Sequence, residues 1–241
     1  MENNVELKKT FYDQANVLNV YPSTTTTYSL KSVTDSSYNE FIEFLSGEVT
    51  IKVLQLDSAN FWARDGIAAA IAKGFVADDL QDNYSDIITR AEFCRMAINW
   101  MESATGKNID AVLAKKGLSR NPIAFADSSD PDILAAFALG VTNGVGNNLF
   151  DPNGQFSREQ AATMIMNTCK AIGSNVDNPP ASSFADIGSA SSWAVNGINF
   201  VSANGIMQGT GDNNFSPSAP YTREQSIITF NNINQSTLPV R

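Results

Sequence analysis

Apolar residues recur along the chain at helical spacing in short runs, and the runs come in pairs. In the first run, Ala63, Ile67, Ala70 and Ile71 fall on one helical face. Gly74 and Phe75 follow. A glycine just past such a run supplies the left-handed residue that ends a helix, and the large apolar residue after it packs back on the turn. The pair returns as Gly140-Val141 and Gly205-Ile206, the glycines 66 and 65 residues apart, each seven residues after an isoleucine (Ile67, Ile133, Ile198). A loop rich in Gly, Asn, Asp and Pro comes next. Then comes a tetrad: Thr89-Arg90-Ala91-Glu92, Ser157-Arg158-Glu159-Gln160 or Thr222-Arg223-Glu224-Gln225. All three tetrads fit a capping box, in which the hydroxyl accepts from the N3 amide and the Glu or Gln reaches back to the N-cap amide. Second helices are predicted over Glu92 to Glu102, Gln160 to Ile172 and Gln225 to Ile233.

The unit is therefore helix, loop, capped helix, present three times. A two-helix unit cannot bury its apolar face alone, so the three must pack together into an all-α core. The pattern divides the chain into a flank at 1–58, repeat 1 with a linker at 59–121, repeat 2 with a linker at 122–183, and repeat 3 with a tail at 184–241. Within the flank, Tyr28 to Val33 and Glu48 to Leu56 alternate like strands, and Ser37 can cap a short helix through Leu45. This flank reads either as a small α/β piece or as the end of an upstream region.

Composition narrows the chemistry. Of 241 residues, 43% are hydrophobic and 17% charged, the mark of a globular chain. The net charge of -9 argues against non-specific binding to nucleic acid or anionic lipid. The chain has no histidine, which excludes Ser-His-Asp and Cys-His catalysis and histidine-ligated zinc. No catalytic residue, metal site or cofactor is assigned. The cluster Asp78, Asp79, Asp82 and Asp86 reads as a solvated loop, and the loop from Asp151 to Gln155 lacks the residues a calcium loop needs. Cys94 and Cys169 lie among Met, Ala and Ile and read as buried thiols, with a single disulfide as the alternative. No apolar run is long enough to span a membrane, and the first ten residues contain no signal-peptide h-region.

Several further elements recur in register. Trp62-Ala63 and Trp193-Ala194 each stand twelve residues before their glycine. Phe125-Ala126-Asp127 answers Phe184-Ala185-Asp186, and Gly144-x-Gly146 with Phe150-x-Pro152 answers Gly209-x-Gly211 with Phe215-x-Pro217. With Ile88-Thr89-Arg90-Ala91-Glu92, these make residues 59 to 235 resemble three tandem S-layer homology (SLH) modules. The resemblance implies a pseudo-threefold helical spindle. It further implies non-covalent, non-enzymatic anchoring of an exported surface protein to the bacterial cell wall through a secondary cell wall polysaccharide, usually carrying a pyruvylated amino sugar. A protein-binding module with lateral contacts in a surface layer and no glycan ligand is the alternative. The chain departs from the family pattern where Ser128 replaces Trp in repeat 2, and where the first loop lacks both Gly-x-Gly and Phe-x-Pro.

The candidate ligand residues are Arg90, Arg158 and Arg223, each at N1 of a capped helix, together with Trp62, Trp193, Gly144 and Gly209. An arginine beside free helix amides and the positive end of the dipole can grip a carboxylate bidentately. The tryptophans can stack on a sugar face or fill the core, and the glycines can bring amides close to a ligand. Arg158 is expected to matter less than Arg90 and Arg223, because its repeat has Ser128 in place of Trp.

Overall fold

The capped helices begin where the tetrads place them. In the computed structural model, Thr89 is the N-cap of α2 (Arg90–Thr105) and Ser157 that of α5 (Arg158–Ala171), each in a complete capping box. At α7 (Arg223–Gln235), Gln225 N donates to Thr222 Oγ1 at 3.3 Å and Thr222 N to Gln225 Oε1 at 3.2 Å. The lead helices are α1 (Arg64–Ala72), α4 (Pro131–Ala138) and α6 (Val195–Ala203). Past them Gly74, Gly140 and Gly205 take φ of +79°, +72° and +65°, the left-handed geometry that favours glycine. Phe75, Val141 and Ile206 after them are fully buried.

The structure describes residues 26–29, 48–51 and 54–235, in two units, Met1–Leu54 and Gln55–Arg241. The first unit contains β1 (Thr26–Ser29) paired antiparallel with β2 (Glu48–Ile51), in a register that sets Thr26 opposite Ile51. The helix read from Ser37 and the strand residues 30–33 lie outside the described residues. Among its described residues the second unit is helical apart from isolated bridges, consistent with an all-α SLH-like fold. It also contains α3 (Ile109–Lys115) in the first linker, which the sequence reading did not include.

Packing joins each repeat to the next. α2 packs on α4, α5 on α6, and α7 on α1, so the last repeat returns to the first. Backbone bridges follow the same cycle: Thr89 with Gln155, Ser157 with Pro220, and Thr222 back to Ile87. Head-to-tail contacts that close in this way form a ring rather than an open stack. Ile88, Phe156 and Tyr221, each just before its N-cap, are buried together. Phe93 packs in the same cluster, its ring 4.4 Å from that of Phe156, 6.5 Å from that of Tyr221 and 5.2 Å from that of Phe230. Cys94 and Cys169 are free and buried in this core, where burial pushes both thiols up to about 12.

Candidate binding site at the repeat junctions

Each tetrad arginine leaves its own repeat and docks on the loop of the next. Arg90 Nε donates to Phe150 O at 2.8 Å, and its guanidinium lies 4.8 Å over the Phe150 ring. Arg158 repeats this on Phe215, with Nε to the carbonyl at 2.8 Å and the guanidinium 4.8 Å over the ring. It adds Nη2 to Gln208 O at 2.7 Å and lies 5.8 Å from the Tyr221 ring. Arg223 returns to repeat 1, where Nη1 donates to Asp82 O at 3.3 Å and Nη2 to Glu92 Oε1 at 2.7 Å. Asp82 stands where the other loops have Phe, so among the described residues Arg223 has no aromatic shelf at that position. Arg90 and Arg158 are almost fully buried, and desolvation lowers both their pKa values.

The helix amides beside these arginines are already used. At N1, Arg90, Arg158 and Arg223 N–H donate to Gly154, Ala219 and Asp86 carbonyls at 3.2, 3.0 and 2.9 Å. At N2, Ala91, Glu159 and Glu224 donate to Pro152, Pro217 and Tyr84 carbonyls at 3.0, 2.9 and 2.9 Å. The N3 amides go to the cap hydroxyls. The expected cradle of free amides is therefore filled by the neighbouring repeat, and only side-chain donors remain for a ligand. Among the described residues neither Nη of Arg90 has a partner, Arg158 keeps one Nη free, and Arg223 keeps none.

The glycines serve the loops that receive the arginines. A Cβ on Gly144 would sit 2.5 Å from Leu149 O and 2.7 Å from Phe125 Cε1, and one on Gly209 2.7 Å from Asn214 O. The following amides are spent inside the turn, Val145 N to Leu149 O at 2.9 Å and Thr210 N to Asn214 O at 2.8 Å. The need for glycine thus comes from the loop's own close packing rather than from a ligand. Asp127 clamps the second loop by accepting from Phe150 N and Asp151 N, both at 2.8 Å. Asp186 does the same for Phe215 N and Ser216 N at 2.8 and 2.7 Å. The Phe150 amide first, then that of Asp151 and the charge of Arg90, hold the Asp127 carboxyl below its usual range.

Trp62 and Trp193 are not core residues; they are 58% and 54% exposed. Neighbouring bonds fix which junction each occupies. Glu159, beside Arg158, accepts from Ser191 N and Oγ at 2.8 and 2.9 Å, which brings the turn bearing Trp193 to the start of α5. Glu224, beside Arg223, accepts from Asn60 N and Nδ2 at 3.0 and 2.6 Å, which brings the Trp62 turn to the start of α7. Arg158 therefore shares its junction with Trp193, and Ser128 belongs to the junction of Arg90. The low rank given to Arg158 paired each arginine with the Trp position of its own repeat, whereas each arginine docks on the next repeat. The sequence showed Asp127, Asp186, Glu159, Glu224 and Glu92 only as repeat or capping positions, not as residues that bond across the junctions. The repeated Phe-Ala-Asp was the available signal for the first two.

Two of the repeats match a known family. The S-layer homology domain matches residues 126–162 and 183–225, which are the second and third repeats from their Asp clamps into their capped helices. The chain is 26% identical over 175 residues to the surface-layer 125 kDa protein of Lysinibacillus sphaericus, covering 70% of this chain and 14% of that protein. It is 29% identical over 188 residues to exoglucanase XynX of Acetivibrio thermocellus, covering 75% of this chain and 16% of the enzyme. It is 29% identical over 160 residues to S-layer protein sap of Bacillus anthracis, covering 64% of this chain and 18% of that protein. The shared segment is thus less than a fifth of the length of these relatives.

Proposed function

We propose that the second unit is a three-module SLH anchor, with repeat 1 as the third module, which holds an exported protein to the cell wall by binding a carboxylate-bearing secondary polysaccharide. Arg90 carries this reading. It is a buried guanidinium held on Phe150, and among the described residues both its Nη groups are unpartnered and no carboxylate is bonded to it. A planar fork fixed in this way accepts a carboxylate, such as that of a pyruvyl ketal, in two charge-assisted bonds. Arg158 offers one free Nη among the described residues, and the turn bearing the exposed Trp193, whose face suits a sugar ring, is tied to the start of the same helix through Glu159. The work of this chain is retention, not catalysis. The same kind of segment in both surface-layer proteins and an exoglucanase fits an anchor whose cargo varies.

The test is sedimentation of the full chain with purified cell-wall sacculi, before and after the secondary polymer is stripped. Binding that disappears on stripping supports the anchor. Binding that survives stripping points instead to a protein partner, the reading favoured by Phe61, which is 89% exposed beside Trp62.

A further inference from the structure

Glu92 stands where the other two repeats have Gln160 and Gln225. All three side chains perform the same cap: Glu92 Oε2 accepts from Thr89 N at 2.9 Å, Gln160 Oε1 from Ser157 N at 3.0 Å, and Gln225 Oε1 from Thr222 N at 3.2 Å. They differ in the second head-group atom. In a carboxylate it is another acceptor, and in an amide it is an NH2 donor. Glu92 Oε1 uses that capacity to take Arg223 Nη2 at 2.7 Å, with side chains 17% and 16% exposed. At the matching positions the second atom is an NH2 group, which donates and cannot accept from a guanidinium, and among the described residues Arg90 and Arg158 bond to carbonyl oxygens.

We propose that Glu92 is a specificity-determining residue: it fills the Arg223 junction from within the chain and excludes an anionic ligand there, while Gln160 and Gln225 leave the Arg90 and Arg158 junctions open. This inference rests on the carboxylate-gripping reading above. An incoming carboxylate at Arg223 would have to displace a bonded one and then share the junction with it. Like charges set against each other in a partly dry site repel strongly. Asp82, in the place of the aromatic shelf, adds a further negative charge. The array is thus built with unequal junctions, the closed one being where the last repeat meets the first. Only there does a carboxylate occupy N3.

The experiment follows the Nε–H resonances of 15N-arginine-labelled full-length chain during titration with sodium pyruvate. In the wild-type chain Arg90 and Arg158 shift and Arg223 does not. In E92Q, Arg223 also shifts while the other two respond as before. This variant keeps its cap, because Gln is what the sister repeats use, and a melt confirms that it is folded. The converse variant Q160E places a carboxylate at the Arg90 junction and weakens the Arg90 response about tenfold, as expected for an added like charge. Arg223 shifting in the wild type as strongly as Arg90, or staying silent in folded E92Q while Arg90 responds in Q160E as in wild type, would overturn the proposal. If Arg90 and Arg158 still shift in that event, Glu92 alone has been misread. If no arginine shifts in any variant, the carboxylate-gripping reading fails with it.

Discussion

At the scale of single residues, the arginines serve the fold before they serve any ligand. Arg158 gives two hydrogen bonds to carbonyls of the next loop and lies over Phe215, so its loss removes contacts of the charge-assisted class, each worth about 1.5–3 kcal/mol. Replacing these arginines therefore lowers stability, contrary to the mild effect that an exposed ligand residue would show. Their positions were legible in the tetrads. Their partners were not, because spacing within a repeat does not say which repeat a side chain reaches. Asp127 offers a check through pH. Its folded pKa lies below 3.8, so its bonds contribute stability fully above 3.8, and that stability is lost as pH falls through the folded value. Asp127→Asn is expected to be clearly less stable than wild type in urea at pH 6. The difference should shrink as the pH is taken well below 3.8. A difference unchanged by acid would contradict the clamp.

At the scale of helices, the repeats differ where their sequences differ. Ala63 and Ala194 precede α1 and α6 without a side-chain cap, and the turns before these helices are tied across the junction by Glu224 and Glu159. Repeat 2 has no such tie, because Ala91 stands in place of the glutamate. There Asp130 caps α4 directly, accepting from Asp132 N and Ile133 N at 2.8 and 3.2 Å, with Pro131 in the first turn. The missing Trp and the missing Glu thus belong to one junction. α3 was legible after all: Asn108 caps it, and Ile109, Val112 and Leu113 lie on its buried face. The reading that stopped at the repeats passed over this spacing. Close helix contact gives a second prediction. A Cβ on Gly197 would sit 2.8 Å from Thr163 Cα in α5, whereas one on Gly66 would meet the movable tip of Ile228. Gly197→Ala should cost about 1–3 kcal/mol in denaturant melts, as overpacking against backbone does. Gly66→Ala should be near neutral, since Ala also favours the helix. Equal effects at the two sites would contradict the packing.

At the scale of the whole molecule, ring closure explains why three repeats are needed. α7 has its partner in α1 and α4 has its partner in α2, so residues 122–241 alone would expose both faces. That fragment should form oligomers and melt broadly. A sharp melt from a monomer would show that closure is dispensable. The helical fold and the number of repeats could be read from glycines and caps, because those signals are local. The junctions between repeats could not, because they exist only once the ring is formed. The most direct measurement of the central claim is the affinity of the full chain for the purified secondary polymer, by calorimetry, with Arg90→Lys, Arg158→Lys and Arg223→Lys alongside melts of each. Lys keeps the charge but loses the planar fork. The junction account predicts about tenfold losses for Arg90→Lys and Arg158→Lys, roughly 1.4 kcal/mol each, and little change for Arg223→Lys. Unchanged affinity in both Arg90→Lys and Arg158→Lys, or a loss confined to Arg223→Lys, would contradict it.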